Sequence, residues 1–168
     1  MIPRLTFIVP AYNSAATLVD TLSSLRAQTM PEWRAIVVDV GSTDATASAA
    51  RGFGDPRVTI ISQENRGLAG ARNTGLRHAW DERDPEGCPV SFLDADDTVA
   101  PQYAEAMLAR LEGFDAVACA FEFMDSENKP IDWIIRPAKH DATIQRLIET
   151  NSFAVTCVAR LARLRELA

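Results

Sequence analysis

The chain has 168 residues, of which 47% are hydrophobic and 24% are charged, and its formal net charge is -6 with a pI of about 4.9. That length suits one domain with one core, and the composition excludes a disordered or membrane-embedded chain. The acidic balance lacks the positive field that nucleic-acid binding requires, so we expect no nucleic-acid partner. We therefore predict a single water-soluble domain over residues 1–168.

Cysteine spacing and the N-terminal sequence bear on the cellular compartment. Cys88, Cys119 and Cys157 are an odd number of cysteines at wide spacing, which predicts neither a disulfide framework nor a zinc site. The first apolar run is too short for a signal peptide and ends at Pro10. No window approaches the ~18 consecutive apolar residues that cross a bilayer. We expect the protein to lie in the reducing environment of the cytoplasm, either free or at the inner face of the membrane.

Short apolar runs alternate with helical patterns up to residue 123. The predicted strands cover residues 5–9, 35–38, 58–61, 90–93 and 116–123. The predicted helices cover residues 18–27, an alanine-rich segment that runs toward Phe53, residues 69–80, and a segment that starts at Pro101. This alternation predicts an α/β fold with a mostly parallel central sheet and helices on both faces.

The pattern becomes weaker after residue 123. We predict a hairpin turn over 125–130, a strand over 133–135, a helix over 141–150 and a strand over 154–159. Residues 158–165 alternate apolar and arginine side chains, which would suit peripheral contact with an anionic membrane surface. An ordinary amphipathic segment is the alternative that we favour.

Three carboxylates follow the predicted strand 90–93, namely Asp94, Asp96 and Asp97. Unit charges ~4 Å apart repel by roughly 4 kcal/mol at an effective dielectric near 20, so folding alone gives no reason for this cluster. Magnesium and manganese prefer such oxygen ligands and are commonly held by one or two carboxylates together with substrate phosphates. The alternative is a solvated helix N-terminus, where acids favour the helix dipole. Their place after a buried strand favours a metal site for phosphate chemistry.

Polar side chains follow the other predicted strands as well. Tyr12, Asp39 and Arg66 come after the first, second and third strands. Ligands bind beyond the carboxyl ends of parallel strands, so we expect these loops to converge on one crevice. Asp44 suits a helix cap, whereas Arg72 lies on a predicted helix, where ligand contact and an ordinary surface arginine are equally good interpretations.

Four sequence blocks resemble the N-terminal half of the family 2 nucleotide-sugar glycosyltransferases, which have the GT-A fold. The blocks are IVPAYN at 8–13, IVVD at 36–39 with GSTD at 41–44, NRG at 65–67 with ARN at 71–73, and FLDADD at 92–97. One such block alone is weak evidence, but four in the same order and spacing are specific. The resemblance implies a Rossmann-like three-layer sandwich of GT-A type.

The resemblance also implies a donor site for a nucleoside-diphosphate sugar, with a uridine donor favoured. The implied donor contacts are Pro10, Ala11, Tyr12, Asn13, Asp39, Arg72, Asp94, Ala95 and Asp96. Tyr12 would lie against the base, and Arg72 would bind the nucleotide or diphosphate. Asp96 and Asp97 would hold Mn²⁺ or Mg²⁺, which acts as a Lewis acid on the departing diphosphate. Family members invert the anomeric centre, with a carboxylate as general base, and the acceptor would be a glycan, a lipid-linked molecule or a protein.

Two departures from the family pattern affect these expectations. The family commonly has paired aspartates where this chain has Asp39 followed by Val40, which leaves the base contact open. The general base of the family lies well downstream of the acidic motif, in an acidic block. After Glu149 this chain offers only Glu166, so we expect the base and the acceptor region to lie beyond Ala168.

Two other functions compete with this interpretation. Residues 94–98 also satisfy the Asp-x-Asp-x-Thr motif of a magnesium-dependent phosphatase, in which Asp94 would be the nucleophile. That motif belongs on a first strand, whereas here three predicted strands precede it. A non-catalytic nucleotide-binding module is the second alternative. The turn after the first strand contains no GxGxxG, which argues against a dinucleotide-dependent oxidoreductase.

Overall fold

The computed structural model describes residues 3–80, 87–125, 129–135 and 157–166. The strands are β1 (Leu5–Ala11), β2 (Trp33–Asp39), β3 (Val58–Ser62), β4 (Val90–Phe92), β5 (Ala116–Ala118), β6 (Phe121–Met124), β7 (Pro130–Ile135) and β8 (Cys157–Ala159). The helices are α1 (Leu18–Arg26), α2 (Thr46–Gly52), α3 (Gly67–Ala79), α4 (Tyr103–Leu111) and α5 (Leu161–Glu166).

Strand β1 is the centre of the main sheet and is buried along its whole length. It pairs in parallel with β2 on one side and β4 on the other, and β3 extends the sheet beyond β2. A continuous apolar run is what a parallel strand covered on both faces requires. On the other side β8 pairs antiparallel with both β4 and β5, which gives the order β3-β2-β1-β4-β8-β5. The predicted α/β fold with a mostly parallel sheet is confirmed.

Helices cover both faces of this sheet. Leu22 of α1, Ala50 of α2 and Met107 of α4 are buried in one hydrophobic cluster with one set of strand side chains. Ala71 of α3 and Leu161 of α5 belong to a second cluster on alternate strand residues. Since side chains alternate along a strand, the two clusters lie on opposite faces and form three layers.

The contact between α3 and β1 is unusually close. A Cβ atom placed on Gly75 would lie 2.3 Å from Cγ2 of Ile8, so a glycine is required for the helix to approach the strand at this depth. This contact fixes α3, and with it Arg72, against the strand that leads into the site.

The segment predicted as one strand over 116–123 is two strands, and that prediction is wrong. β5 joins the main sheet, whereas β6 pairs with β7 in a separate two-stranded antiparallel sheet. The run of β-forming residues is continuous in sequence, so periodicity could not show where the chain leaves the first sheet. Hydrogen bonds between Asp125 and Lys129 close the connection from β6 to β7. Residues 126–128 of the predicted turn, the predicted helix 141–150 and residues 154–156 lie outside the described residues.

Residues of the segment 158–165, in which apolar and arginine side chains alternate, contact other parts of the chain. Leu161 is buried in the second cluster, Arg160 donates hydrogen bonds to the carbonyl oxygens of Phe114 and Leu111, and Arg163 pairs with Asp115 at 3.1 Å. These contacts support the ordinary amphipathic segment, and membrane contact stays a prediction. In the part of the chain that the structure describes, no helix has both the length and the apolar character to span a bilayer.

Candidate functional site

A cleft of about 390 Å³ lies at the C-terminal ends of β1 and β4. It is lined by Pro10, Tyr12, Asn13, Ser14, Thr17, Leu68, Asp94, Ala95 and Asp96. The structure thus brings together residues from two loops that are about 80 positions apart in sequence, because neighbouring parallel strands end at the same edge of the sheet.

One end of the cleft carries an exposed aromatic ring on a loop with fixed geometry. The Tyr12 side chain is 51% exposed. Next to it, Asn13 has a positive φ of 50°, a conformation that asparagine tolerates better than most residues. The Asn13 backbone N donates to the Ser42 hydroxyl at 3.0 Å, and its side-chain oxygen accepts from the Thr43 backbone N at 2.9 Å. The loop after β1 is therefore fastened to the loop after β2, which leaves the Tyr12 ring free to stack on a planar ligand.

Two aspartates, one at the end of β2 and one in the loop that follows it, shape these loops instead of lining the cleft. Asp39 is buried, and its carboxylate accepts from the Ser42 backbone N at 3.1 Å. Asp44 accepts from the backbone N of Thr46 at the start of α2 and of Ala15. The hydrogen bond from the Thr46 hydroxyl is the main reason that the pKa of Asp44 lies below its usual value. Asp44 thus binds the first backbone N–H group of α2 from the position before the N-cap residue, Ala45, while a base contact by Asp39 stays a prediction.

Ala11 and Arg72 also lie outside the cleft lining. Ala11 is the buried last residue of β1. Arg72 lines a neighbouring, more apolar cavity of about 690 Å³, and its Nη2 donates to Asp94 Oδ1 at 3.1 Å. Its Nε is buried and has no hydrogen-bond partner among the described residues, while its guanidinium lies 5.6 Å from the centre of the Phe92 ring. Arg72 therefore neutralises Asp94 at the edge of the cleft.

The opposite end of the cleft is acidic and short of positive charge. Asp96 lines the cleft and Asp97 follows it outside the lining. Both residues are exposed, and the Asp97 backbone N closes a turn onto the Asp94 carbonyl at 3.1 Å. Partial burial in the loop, followed by the negative charges of Asp96 and Asp94, raises the pKa of Asp97 to about 6. A cation between these carboxylates would remove that repulsion.

The carboxylates of Asp96 and Asp97 suit a divalent metal only if a bound ligand supplies further oxygen atoms. Within residues 3–80, 87–125, 129–135 and 157–166, no three histidine, cysteine or acidic side chains are grouped as a metal centre. Asp96 and Asp97 supply hard oxygen atoms, which Mg²⁺ and Mn²⁺ accept when water and phosphate oxygens complete the shell. The residues present fit such an ion when it arrives with a diphosphate.

Three residues that line the cleft were missed in the sequence. Ser14 and Thr17 follow the Tyr12 loop, and Leu68 lies at the start of α3. Thr17 donates a hydrogen bond to the Ala95 carbonyl oxygen at 2.8 Å, which connects the two ends of the cleft. The available signal was the pair of hydroxyl residues Ser14 and Thr17 just before α1, at the end of the loop that carries Tyr12. No side-chain hydrogen bond caps this helix at Thr17.

Residues 6–167 match the Glycosyl transferase family 2. The chain belongs to this family. Among curated relatives, it is 40% identical over 116 residues to the succinoglycan biosynthesis protein ExoO of Rhizobium meliloti, a match that covers 68% of this chain and 32% of ExoO. The chain therefore spans about one third of the length of that relative. The resemblance seen in the four sequence blocks is confirmed.

Solved structures give the same fold. S. aureus TarS in complex with UDP-GlcNAc superposes with a TM-score of 0.75 at 24% identity, over 98% of this chain and 47% of TarS. The mannosyltransferase PcManGT from Pyrobaculum calidifontis, in complex with GDP-Man and Mn²⁺, gives a TM-score of 0.62 at 35% identity, over 71% of this chain and 36% of that protein. The implied GT-A sandwich is confirmed by these neighbours together with the observed sheet.

Proposed function

We propose that the cleft binds a nucleoside-diphosphate sugar, with uridine as the favoured base, for transfer of the sugar by an inverting glycosyltransferase. The observation that carries the proposal is the pairing, within one cleft, of an exposed Tyr12 ring with the carboxylates of Asp94 and Asp96. An aromatic face suits a nucleobase, and acidic side chains suit ribose hydroxyls and a metal-bound diphosphate. Membership of family 2 supports the same ligand class.

The proposed metal ligands are Asp96 and Asp97, which would hold Mn²⁺ or Mg²⁺ when the nucleoside diphosphate is bound. A bound metal would neutralise the charge that develops on the departing diphosphate. The raised pKa of Asp97 supports a site that lacks a positive charge, and Mn²⁺ in the PcManGT complex is consistent with it. Arg72 lies next to Asp94 and can turn its guanidinium toward a phosphate oxygen, because one of its N–H groups has no partner in the described structure.

The acceptor and the general base belong to the proposal as well. We propose that the acceptor is a growing glycan, free or lipid-linked, in keeping with the name of ExoO as a succinoglycan biosynthesis protein; a protein acceptor is the alternative. A carboxylate acting as general base would remove the proton from its hydroxyl group. We also propose a location in the cytoplasm or at the inner face of the membrane.

Thermal unfolding with a panel of nucleotides tests the proposal. A ligand at 100 times its dissociation constant adds roughly 2.7 kcal/mol of stability, so UDP or a UDP-sugar with Mn²⁺ should raise the midpoint measurably. EDTA should abolish the shift, and Asp96→Asn and Asp97→Asn should reduce it. GDP, ADP and their sugars measure the base preference. If no nucleoside diphosphate stabilises the protein in the presence of Mn²⁺ or Mg²⁺, the proposal is wrong.

The phosphatase alternative predicts a different result. Asp94 would have to be a free nucleophile, but it lies after the fourth strand in the chain and is paired with Arg72. Release of phosphate from a generic phosphomonoester, lost in Asp94→Asn, would favour the phosphatase. A non-catalytic module would bind the nucleotide sugar and never transfer the sugar in the intact protein.

A further inference from the structure

The backbone between the two cleft aspartates is held by a neighbouring helix. The carbonyl oxygen of Ala95 accepts hydrogen bonds from the hydroxyls of Thr17, at 2.8 Å, and of Thr21, at 2.9 Å. Each hydroxyl also has a longer contact, to the carbonyl of Ser14 at 3.4 Å and of Thr17 at 3.5 Å respectively. A hydroxyl has only one proton to donate, so the shorter contacts to Ala95 are the stronger ones.

The hydrogen bond from Thr21 to Ala95 is buried, and the one from Thr17 is partly buried. Ala95 is 5% exposed and Thr21 is fully buried, while Thr17 is half-buried at the wall of the cleft. Water has little access to replace these donors, so loss of both hydroxyls would leave a buried carbonyl oxygen without a partner. A peptide group in that position gains by rotating, and rotation of the Ala95 peptide would move the aspartate on either side.

The same helix face holds the rest of the acidic loop. Ser24 accepts from the Val99 backbone N at 3.2 Å. Gln28 donates to the Ala100 carbonyl at 2.8 Å and accepts from the Ala104 backbone N at 2.9 Å. Polar side chains on or directly after α1 thus bind the backbone from position 95 to the start of α4.

We propose that Thr17 and Thr21 are positioning residues that hold the Ala95 peptide and thereby set the places of Asp94 and Asp96 in the cleft. This inference rests on the proposed function for its effect on ligand affinity. Neither threonine needs to contact the ligand through its hydroxyl, because both act through the Ala95 carbonyl. Removal of a hydrogen-bonding group that orients a metal-binding residue typically lowers the affinity for the metal by 10–100-fold.

The test compares a double variant, which carries both Thr17→Val and Thr21→Val, with matched control variants. Valine keeps the shape of threonine and removes the hydroxyl. Ser23→Ala is the control, since the Ser23 hydroxyl also donates to a backbone carbonyl on α1, that of Val19, but on the exposed side. The single variant Thr21→Ser, in which Thr17 is unchanged, is the conservative variant because serine keeps the hydroxyl group. Two quantities are measured: the dissociation constant of UDP with saturating Mn²⁺, and amide hydrogen exchange at Asp96 and Asp97.

We expect the double valine variant to exchange the Asp96 and Asp97 amides faster and to bind Mn²⁺–UDP at least tenfold more weakly. Its affinity for uridine, which lacks phosphates, should change less than twofold, a difference that general destabilisation would not produce. Ser23→Ala and Thr21→Ser should behave as wild type. Unchanged exchange in the double variant would overturn the proposal whatever the protein binds. Faster exchange with unchanged Mn²⁺–UDP affinity would overturn it too. Wild-type protein that binds no nucleoside diphosphate would refute the proposed function, and the exchange rates would still decide whether the threonines hold the loop.

Discussion

Replacement of Asp97 by asparagine should stabilise the metal-free protein at neutral pH. The pKa of Asp97 is raised from 3.8 to about 6, first by partial burial and then by the charges of Asp96 and Asp94. A shift of about 2 units corresponds to roughly 3 kcal/mol if it is realised in full. Burial of Asp97 is incomplete and the residue still reaches solvent, which weakens both effects, so we expect a gain of about 1 kcal/mol.

The pH dependence of this gain has a definite sign. Below the unfolded pKa of 3.8 the carboxyl is protonated in both states, so Asp97→Asn should change little. Between that value and about 6 the unfolded chain loses the proton first, which lowers the stability of the wild type as the pH rises. The full advantage of the variant should therefore be present above pH 6 and absent near pH 3.8.

Urea denaturation of the wild type and Asp97→Asn at pH 4 and pH 7.5, in EDTA, measures this difference. Glu122→Gln, which removes an exposed carboxylate on β6, controls for the change in net charge. With Mn²⁺ and UDP the order should reverse, because the wild type gains binding free energy that the variant loses. An equal gain at both pH values, or a less stable variant at pH 7.5 in EDTA, would refute the electrostatic explanation.

Three further substitutions test other parts of the structure. Gly75→Ala should destabilise the protein by about 1–3 kcal/mol in urea denaturation, because its Cβ would collide with Ile8; an unchanged midpoint would contradict this close contact. Tyr12→Ala should weaken UDP binding by about 1–3 kcal/mol in calorimetry, with stability changed by less than about 0.5 kcal/mol since the ring is exposed. Asp55→Asn should lower the free energy of unfolding by about 1–2 kcal/mol at pH 7, because the Arg57 side chain lowers the pKa of Asp55 to about 2. This loss should disappear as the pH falls from 4 to 2 in acid denaturation. A loss that stays constant with pH would exclude the ion pair as its cause.

Sequence patterns predicted those features that one strand or loop determines by itself. The buried run of β1 and the acidic loop after β4 both follow from local residue order, and parallel pairing then predicts that they meet. Patterns could not show that β8 enters the sheet between β4 and β5, because that pairing joins segments about 40 and 67 residues apart. Nor could they show that the carboxylate of Asp39, whose ligand role the family resemblance implied and which stays a prediction, accepts a hydrogen bond from the Ser42 backbone N. The hydrogen bonds from Thr17 to Ala95 depend on the docked position of α1, which no local pattern contains.

In the acidic loop, the groups that hold the carboxylates in place are not the groups that would neutralise their charge. Arg72 neutralises Asp94, but no ion pair of Asp96 or Asp97 occurs among the described residues, so repulsion favours a spread of these carboxylates. The loop stays in place because its backbone is bound from α1 by neutral hydroxyl and amide groups, whose hydrogen bonds do not depend on the charge of the carboxylates. A positive Arg or Lys in those positions would hold the loop equally well and would also satisfy the carboxylates, which would weaken their attraction for a cation. Neutral donors therefore keep the carboxylates in place and still short of positive charge, which is the condition that a metal-bound diphosphate would relieve.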